Sequence, residues 1–124
     1  MSNPLGYPDE VWRRFRDTPR AGRLTAGVAA EVGTPAAQLR LRLEVSAQRG
    51  RIEDAVFQAW GCPYTIATGS WLADWLVGRR IDQLLVPALD ELRSALEIPE
   101  DRAHCWIMAQ DILRDLHRHL SSGT

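Results

Sequence analysis

The sequence is short of cysteine, of net charge and of long apolar runs, and each shortage argues against a class of protein. Two cysteines in 124 residues argue against a structural disulfide, and we expect both thiols to stay reduced. A net charge of −1 provides no field that would hold nucleic acid or an anionic membrane. No apolar run reaches transmembrane length and no signal-peptide pattern is present, so we expect a soluble protein of the cytoplasm.

The composition predicts one globular domain over residues 1–124. Hydrophobic residues make up 45% of the sequence and charged residues 25%, which is typical of a folded domain. A chain of this length buries one core and is too short for two. Lysine is absent and all fifteen basic residues are arginine, a bias that we attribute to a GC-rich genome and from which no function follows.

The hydrophobic pattern predicts a short N-terminal helix followed by three strands. The helix covers residues 8–17 and has acidic residues in its first turn. Apolar residues alternate over 24–32 and, more strictly, over 39–45. Residues 46–50 are expected to form a turn from which 51–60 return as the third strand. Three strands in succession, without helices between them, indicate an antiparallel meander.

After Trp60 the apolar period becomes helical. One helix is expected to end at a Gly78 cap, and a second over 81–96 to be interrupted at Pro87. Asp101 is the expected N-cap of the last helix. The predicted buried stripe of that helix consists of Cys105, Met108, Ala109, Ile112, Leu116 and Leu120. Strands first and helices after predict an α+β fold with the helices on one face of the sheet.

Both cysteines lie where a helix is expected to begin. Cys62 precedes Pro63, which suits the first helical position, so its thiol meets the positive end of the helix dipole. This position lowers a thiol pKa and favours the thiolate, the form that binds metal or accepts sulfur. The alternative, a small buried hydrophobic residue beneath the loop, stays open on position alone.

His104 distinguishes the second cysteine from an ordinary core residue. Cys105 falls on the buried stripe, but its neighbour His104 is the only strongly polar side chain of residues 103–109. A buried imidazole requires a hydrogen-bond partner or a ligand. Together, Cys62, His104 and Cys105 form a set of sulfur and nitrogen donors suited to zinc or iron–sulfur chemistry. No phosphate loop, nucleophile elbow or acid–base pair is evident, so we expect no enzyme.

Five short motifs in this order resemble the IscU/NifU N-terminal-type iron–sulfur cluster assembly scaffolds. They are TPRAG at 18–22, VGTPA at 32–36, IEDAVF at 52–57, Gly61-Cys62 with IATGS at 66–70, and His104-Cys105. The resemblance implies a three-stranded antiparallel sheet with helices packed on one face and a short N-terminal helix. It also implies a divergent cluster scaffold or a carrier of iron or zinc. The alternative is a metal-free interaction module of the same fold, which binds a cysteine desulfurase or another biogenesis protein.

The resemblance also implies which residues hold the cargo. The family's second cysteine falls on Cys62, its histidine on His104 and its third cysteine on Cys105. Its first cysteine falls on Ala37, and the loop aspartate has no counterpart in residues 35–39. A transient 2Fe–2S cluster would therefore need an exogenous thiol, a second subunit as in a homodimer, or a nearby carboxylate. A single tetrahedral zinc needs only three protein ligands and a water.

Replacing the missing ligand tests this interpretation. Ala37→Cys should restore a third thiolate and raise the amount of cluster that the protein retains after anaerobic reconstitution, measured from visible absorbance and iron content. The cost in stability should be small because the substitution adds one atom to a loop. A variant that folds normally and retains no more cluster than the parent would show that the shortened loop no longer has scaffold geometry.

Overall fold

The computed structural model describes residues 6–34, 36, 38–84 and 89–122. Position 37, the site of the missing cysteine, and Pro87 lie outside these ranges. The main elements are α1 (Asp9–Arg16), β1 (Val28–Thr34), β2 (Leu39–Gln48), β3 (Arg51–Trp60), α2 (Pro63–Leu76), α3 (Leu89–Leu96) and α4 (His104–Ser122). Short 3-10 helices span Ile81–Gln83 and Glu100–Arg102. No helix in the described ranges has the length and apolarity needed to cross a membrane.

The three strands form an antiparallel sheet in the order β1-β2-β3, which confirms the predicted fold class. On the central strand, Leu41, Leu43 and Val45 have no exposed surface and point toward the helices. Helices α2 and α4 pack on this face, and every member of the predicted α4 stripe is buried. The core therefore lies between one face of the sheet and the helix layer.

The approach of α2 to the sheet depends on a glycine. A Cβ at Gly69 would lie 2.6 Å from Phe57 Cδ2 and 2.9 Å from Leu41 Cδ1, closer than carbon atoms pack. Because Gly69 has no side chain, the helix can rest directly on β2 and β3. This close contact determines the position of the whole helix, including its N-terminal end.

Two of the predicted helix boundaries are wrong. Asp101 lies inside the 3-10 helix Glu100–Arg102 and does not cap the last helix, which begins at His104. The helix expected over 81–96 is also shorter, since residues 81–83 form a 3-10 turn and α3 begins at Leu89. The first helix and the Gly78 cap agree with the prediction, with φ of 88° at Gly78 just beyond the end of α2.

The β2–β3 turn is tighter than predicted. Strand β2 continues to Gln48, so the turn expected over 46–50 consists only of Arg49 and Gly50. Both residues have positive φ, 56° and 76°. Two positive φ values are what a two-residue hairpin turn requires to match the twist of its strands.

The predicted first strand starts four residues too early because this part of the chain crosses the sheet. Ala21 forms a parallel bridge with Phe57 on β3, whereas β1 begins at Val28 on the other side of β2. Between them the chain passes over the outer face of the central strand. There the Leu24 N–H donates to Glu44 Oε1 at 3.0 Å.

Glu44 holds this crossing segment in place. Its side chain is only 5% exposed and also accepts a hydrogen bond of 3.0 Å from Arg42 Nη1. The Leu24 N–H, and after it Arg42, hold the pKa of Glu44 below its ordinary value although burial acts in the opposite direction. The carboxylate is therefore charged, buried and satisfied by two donors.

We expect Glu44→Ala to lower the free energy of unfolding by about 2 kcal/mol, because it leaves the Leu24 N–H and the Arg42 guanidinium without their acceptor. Glu53→Ala, which removes an exposed carboxylate from β3, is the matched control and should have little effect.

The pKa of Glu44 is lowered on folding, so its contribution to stability is complete at neutral pH. The difference between wild type and Glu44→Ala should shrink as pH falls below the ordinary value of 4.5. Denaturant unfolding at several pH values measures both effects, and equal costs for the two variants would contradict this role.

Candidate functional site

Gly61 positions Cys62 just after the end of β3, and any other residue at position 61 would be strained. Gly61 follows β3 with φ of 148°, and a Cβ there would lie 2.7 Å from Leu39 Cδ2. Cys62 is then the N-cap of α2, and Pro63 is its first residue. This confirms the predicted position of Cys62 directly before a helix that begins at Pro63. The thiol is half-buried at the positive end of the helix.

The two cysteines of the chain meet at this point. Cys105 lies in the first turn of α4, is only 1% exposed, and belongs to the core cluster against which Cys62 packs. Two buried threonines of α2 complete the surroundings. Thr65 Oγ1 lies 3.7 Å from Cys62 Sγ, and the hydroxyls of Thr65 and Thr68 both act to lower the pKa of Cys105. The result is a small polar cluster of two sulfurs and two hydroxyls inside an apolar core.

The two thiols have pKa values shifted in opposite directions. The Cys105 thiol, followed by the N–H and hydroxyl of Thr65 and the N–H of Tyr64, lowers the pKa of Cys62 to about 4. Partial burial opposes this shift without cancelling it. The hydrogen bond to Cys62, together with burial, raises the pKa of Cys105. At neutral pH the pair therefore holds one proton, with Cys62 as the thiolate and Cys105 as the thiol.

His104 contributes a nitrogen with no protein partner. Its Nε2 is buried and has no hydrogen-bond partner within the described residues. The residue lines an open pocket of about 610 Å³ together with Cys62, Asp101 and Arg102. An imidazole nitrogen and a thiolate on one pocket are donors of the kind that zinc and iron accept.

The donors do not form a ready-made metal cage. Within residues 6–34, 36, 38–84 and 89–122, no three His, Cys, Asp or Glu side chains are gathered closely enough to ligate one ion. The fold brings Cys62 and Cys105 together and puts His104 on the same pocket. The assignment of all three as ligands stays a prediction.

Three residues near the sulfurs escaped the sequence analysis. Thr65 and Thr68 recur at helical spacing after Cys62, a pattern that could have indicated a polar face at this helix end. Asp101 was interpreted as a cap, whereas it lines the pocket that contains Cys62.

The sequence is similar to a known protein family and to curated members of it. The model of the NifU-like N terminal domain matches residues 6–117. The iron–sulfur cluster assembly scaffold protein IscU of Azotobacter vinelandii is 28% identical over 115 residues, 89% of this chain and 90% of that protein. The protein named IscU 1 from Archaeoglobus fulgidus is 31% identical over 110 residues, 87% of this chain and 72% of that protein.

Solved structures support the fold. The N-terminal part of a NifU-like protein from Brucella abortus superimposes with a TM-score of 0.59 at 20% identity, covering 92% of this chain and 82% of that one. A proposed SUF-system scaffold from Fervidobacterium islandicum AW-1 gives a TM-score of 0.74 at 12% identity, covering 87% and 93%.

We expect the pKa of Cys62 to depend on Cys105. Cys105→Ala removes the strongest cause of the low Cys62 pKa, so this pKa should rise toward the ordinary thiol value. Cys105→Ser keeps a donor at the same position and should produce a smaller rise. Each variant has one cysteine, so the ultraviolet absorbance of the thiolate as a function of pH reports on Cys62 alone. An unchanged Cys62 pKa in Cys105→Ala would show that the helix end and Thr65 suffice.

Proposed function

The chain belongs to the NifU-like N-terminal domain family, and from this premise we propose that it is an iron–sulfur cluster assembly scaffold with Cys62, His104 and Cys105 at its cluster site. The family consists of scaffold proteins rather than enzymes. The observation that carries the proposal is that Cys62, whose thiol has a lowered pKa, lines one pocket with His104, whose buried Nε2 has no hydrogen-bond partner within the described residues. The cluster is the cargo of the protein, not its permanent cofactor.

Each residue has a distinct task. Cys62 presents a thiolate to the open pocket, where incoming iron or sulfur first meets the protein. Cys105 becomes the second thiolate when metal displaces its proton, which explains why binding should be coupled to proton release. His104 offers a nitrogen that has no hydrogen bond to break.

Asp101 is our candidate for the missing donor. The loop aspartate of the family has no counterpart here, and Ala37 replaces the first cysteine. Asp101 lines the same pocket as Cys62 and His104 and lies on the short turn just before α4. A carboxylate there could close either a mixed-ligand cluster site or a zinc site, once its side chain and that of His104 turn toward the sulfurs.

The partner that we propose is a cysteine desulfurase or another iron–sulfur biogenesis protein in the cytoplasm. Two large apolar side chains are exposed near the site: Trp60, just before Gly61, and Ile107, three residues after His104 on α4, with 47% and 51% of their surface accessible. Exposed aromatic and aliphatic residues around a reactive group are typical of a docking rim. The same rim supports the second candidate, a metal-free interaction module of this fold, which the absence of a gathered three-ligand group in the described residues also favours.

Metal binding by the full chain separates the two candidates. Anaerobically purified protein should take up a labile cluster on reconstitution and should bind zinc with a raised melting temperature. A ligand at a hundred times its Kd adds about 2.7 kcal/mol when it binds only the folded state. Asp101→Asn should weaken zinc binding at least about tenfold, the scale of losing a supporting group at a metal site, whereas Glu100→Gln on the same turn should not. Wild-type protein that binds neither zinc nor cluster would support the interaction module.

A further inference from the structure

We propose that the outer edge of β1, together with the groove between β1 and α4, binds an extended basic segment of a partner protein, which adds a strand to the sheet. This interaction surface is independent of cluster chemistry. It depends on the backbone of β1 and on the side chains of α4, and it holds whether or not the site carries metal.

Every second residue of β1 directs its backbone N–H and C=O away from β2. The carbonyl of Ala29 accepts a hydrogen bond of 3.1 Å from Nδ1 of His119, so Ala29 points out of the sheet. Because successive residues of an antiparallel strand alternate in direction, Glu31 and Gly33 point the same way. Within the described residues neither has a backbone hydrogen bond on that side. Their N–H and C=O groups are therefore available to an added strand.

The opposite edge of the sheet is covered by the chain itself. On β3, the Phe57 N–H donates to the Arg20 carbonyl at 3.0 Å, and the Phe57 carbonyl accepts from Gly22 at 2.9 Å. Further along the same edge, Ile52 exchanges two backbone hydrogen bonds with residues 78 and 79. The protein thus pairs the outward groups of β3 and leaves those of Glu31 and Gly33 unpaired in the described structure.

Helix α4 forms a second wall beside the open edge. A groove of about 490 Å³ lies between β1 and α4, with Gly33 and His104 among its lining residues. Further along α4, the contact of His119 with Ala29 brings the helix onto the strand. The stretch from Ala29 to Gly33 is roughly 16 Å long, enough to pair with about five residues. An exposed strand edge next to a side-chain groove is the arrangement that strand addition requires, because the edge provides affinity and the groove provides specificity.

The charges of the groove favour a basic peptide. One guanidinium, that of Arg114, lines it against three carboxylates, those of Glu31, Asp111 and Asp115. An opposite charge placed directly across from a strand residue is stabilising, so we expect a basic residue opposite Glu31.

Two of these carboxylates also have arginine neighbours outside the groove. Glu31 Oε1 lies 3.7 Å from Arg40, and Asp115 Oδ1 lies 2.8 Å from Arg118. The arginine side chains of both pairs are more than half exposed, and exposed pairs of this kind contribute little to stability. They can therefore be exchanged for contacts with a peptide at little cost.

The apolar part of the groove determines the rest of the peptide pattern. Ile107 is 51% exposed, and Met108 beside it is 6% exposed. Successive residues of a strand face opposite sides, so the neighbours of the basic residue opposite Glu31 face α4. We expect at least one of these neighbours to be apolar and to pack on Ile107. The predicted ligand is thus an extended segment in which apolar and basic residues alternate.

A second copy of this chain fits the edge less well. The antiparallel register that pairs two complete β1 edges puts Glu31 directly opposite Glu31 of the copy. Like charges in this position are destabilising, and a charged side chain on an open edge is a known protection against self-pairing.

Selection from a phage-displayed library of random dodecapeptides, with the metal-free, full-length chain as bait, tests the proposal. Peptides with alternating apolar and basic residues should be enriched. A labelled synthetic peptide with the enriched sequence is then used as the probe in fluorescence polarisation. On binding, the amides of Glu31 and Gly33 should exchange with solvent more slowly, as measured by nuclear magnetic resonance. Higher salt should weaken binding.

Two variants at position 31 separate the backbone from the charge. Glu31→Pro removes an N–H that β2 does not use, and proline is tolerated on strand edges, so the sheet should stay intact. The variant should bind the probe about tenfold more weakly, the scale of losing one backbone hydrogen bond. Glu31→Gln keeps the N–H and should weaken binding only about threefold.

A second pair of variants tests the wall formed by α4. Asp111→Lys reverses a charge of the groove and should weaken binding about fivefold. Gln110→Lys adds the same charge at an exposed neighbouring position that does not line the groove, and it should have a smaller effect. Circular dichroism confirms that each variant is folded. If Glu31→Pro does not fold, the Asp111 and Gln110 variants and the amide exchange decide.

Three outcomes would overturn the proposal. The first is a library that yields no enriched peptide. The second is an enriched peptide that binds folded Glu31→Pro and Asp111→Lys as tightly as wild type, or that protects amides elsewhere. The third is a dimeric chain in which the amides of Glu31 and Gly33 are already protected before peptide is added, which would assign the edge to a second copy. Because the protein is free of metal throughout, none of these results decides whether it assembles clusters.

Discussion

The contact between α2 and the sheet is the constraint on which the site depends. Gly69 allows the helix to lie against Phe57 and Leu41, and this fixes the height and direction of α2 over the sheet. Its N-terminal end, with Cys62, then packs against the core cluster that contains Cys105 in the first turn of α4. Two helix N-termini thus meet around two sulfurs, and their partial positive charges add to the hydrogen bonds that favour an anionic sulfur there.

The fold was largely predictable because its strands and helices follow local periodicity. Alternation over residues 39–45 marks the central strand, since one face meets the core and the other does not. Local pattern failed where a distant element decides the structure. The alternation from Leu24 looks like a strand, but the backbone there is held by Glu44 of another strand instead of pairing in the sheet. Residues 46–48 have turn-like composition and still pair with β3.

At the site, the sequence predicted which residues are involved but not which of them lie near each other. The positions of Cys62 and Cys105 at helix starts follow from local pattern, and their proximity was expected only from a family resemblance. The effect of Thr65 on the pKa of both thiols depends on how α4 packs against α2, which no local pattern encodes. Where α4 begins matters as well. Because α4 starts at His104 instead of just after Asp101, the Asp101 carboxylate lines the pocket and the His104 imidazole lies in the first turn of the helix.

The path of the N-terminal segment has a consequence for the order of folding. Ala21 pairs with Phe57 and the following residues cross Glu44, so these contacts join parts of the chain that are far apart in sequence. The pairing between β2 and β3, closed by a two-residue turn, joins residues that are near in sequence, and hairpins of this kind form within microseconds. The segment around residues 21–24 is synthesised before β2 and β3 and can make these contacts only after both strands exist. During synthesis the outer face of the sheet therefore stays exposed until the β2–β3 hairpin has formed and residues 21–27 can pack across it.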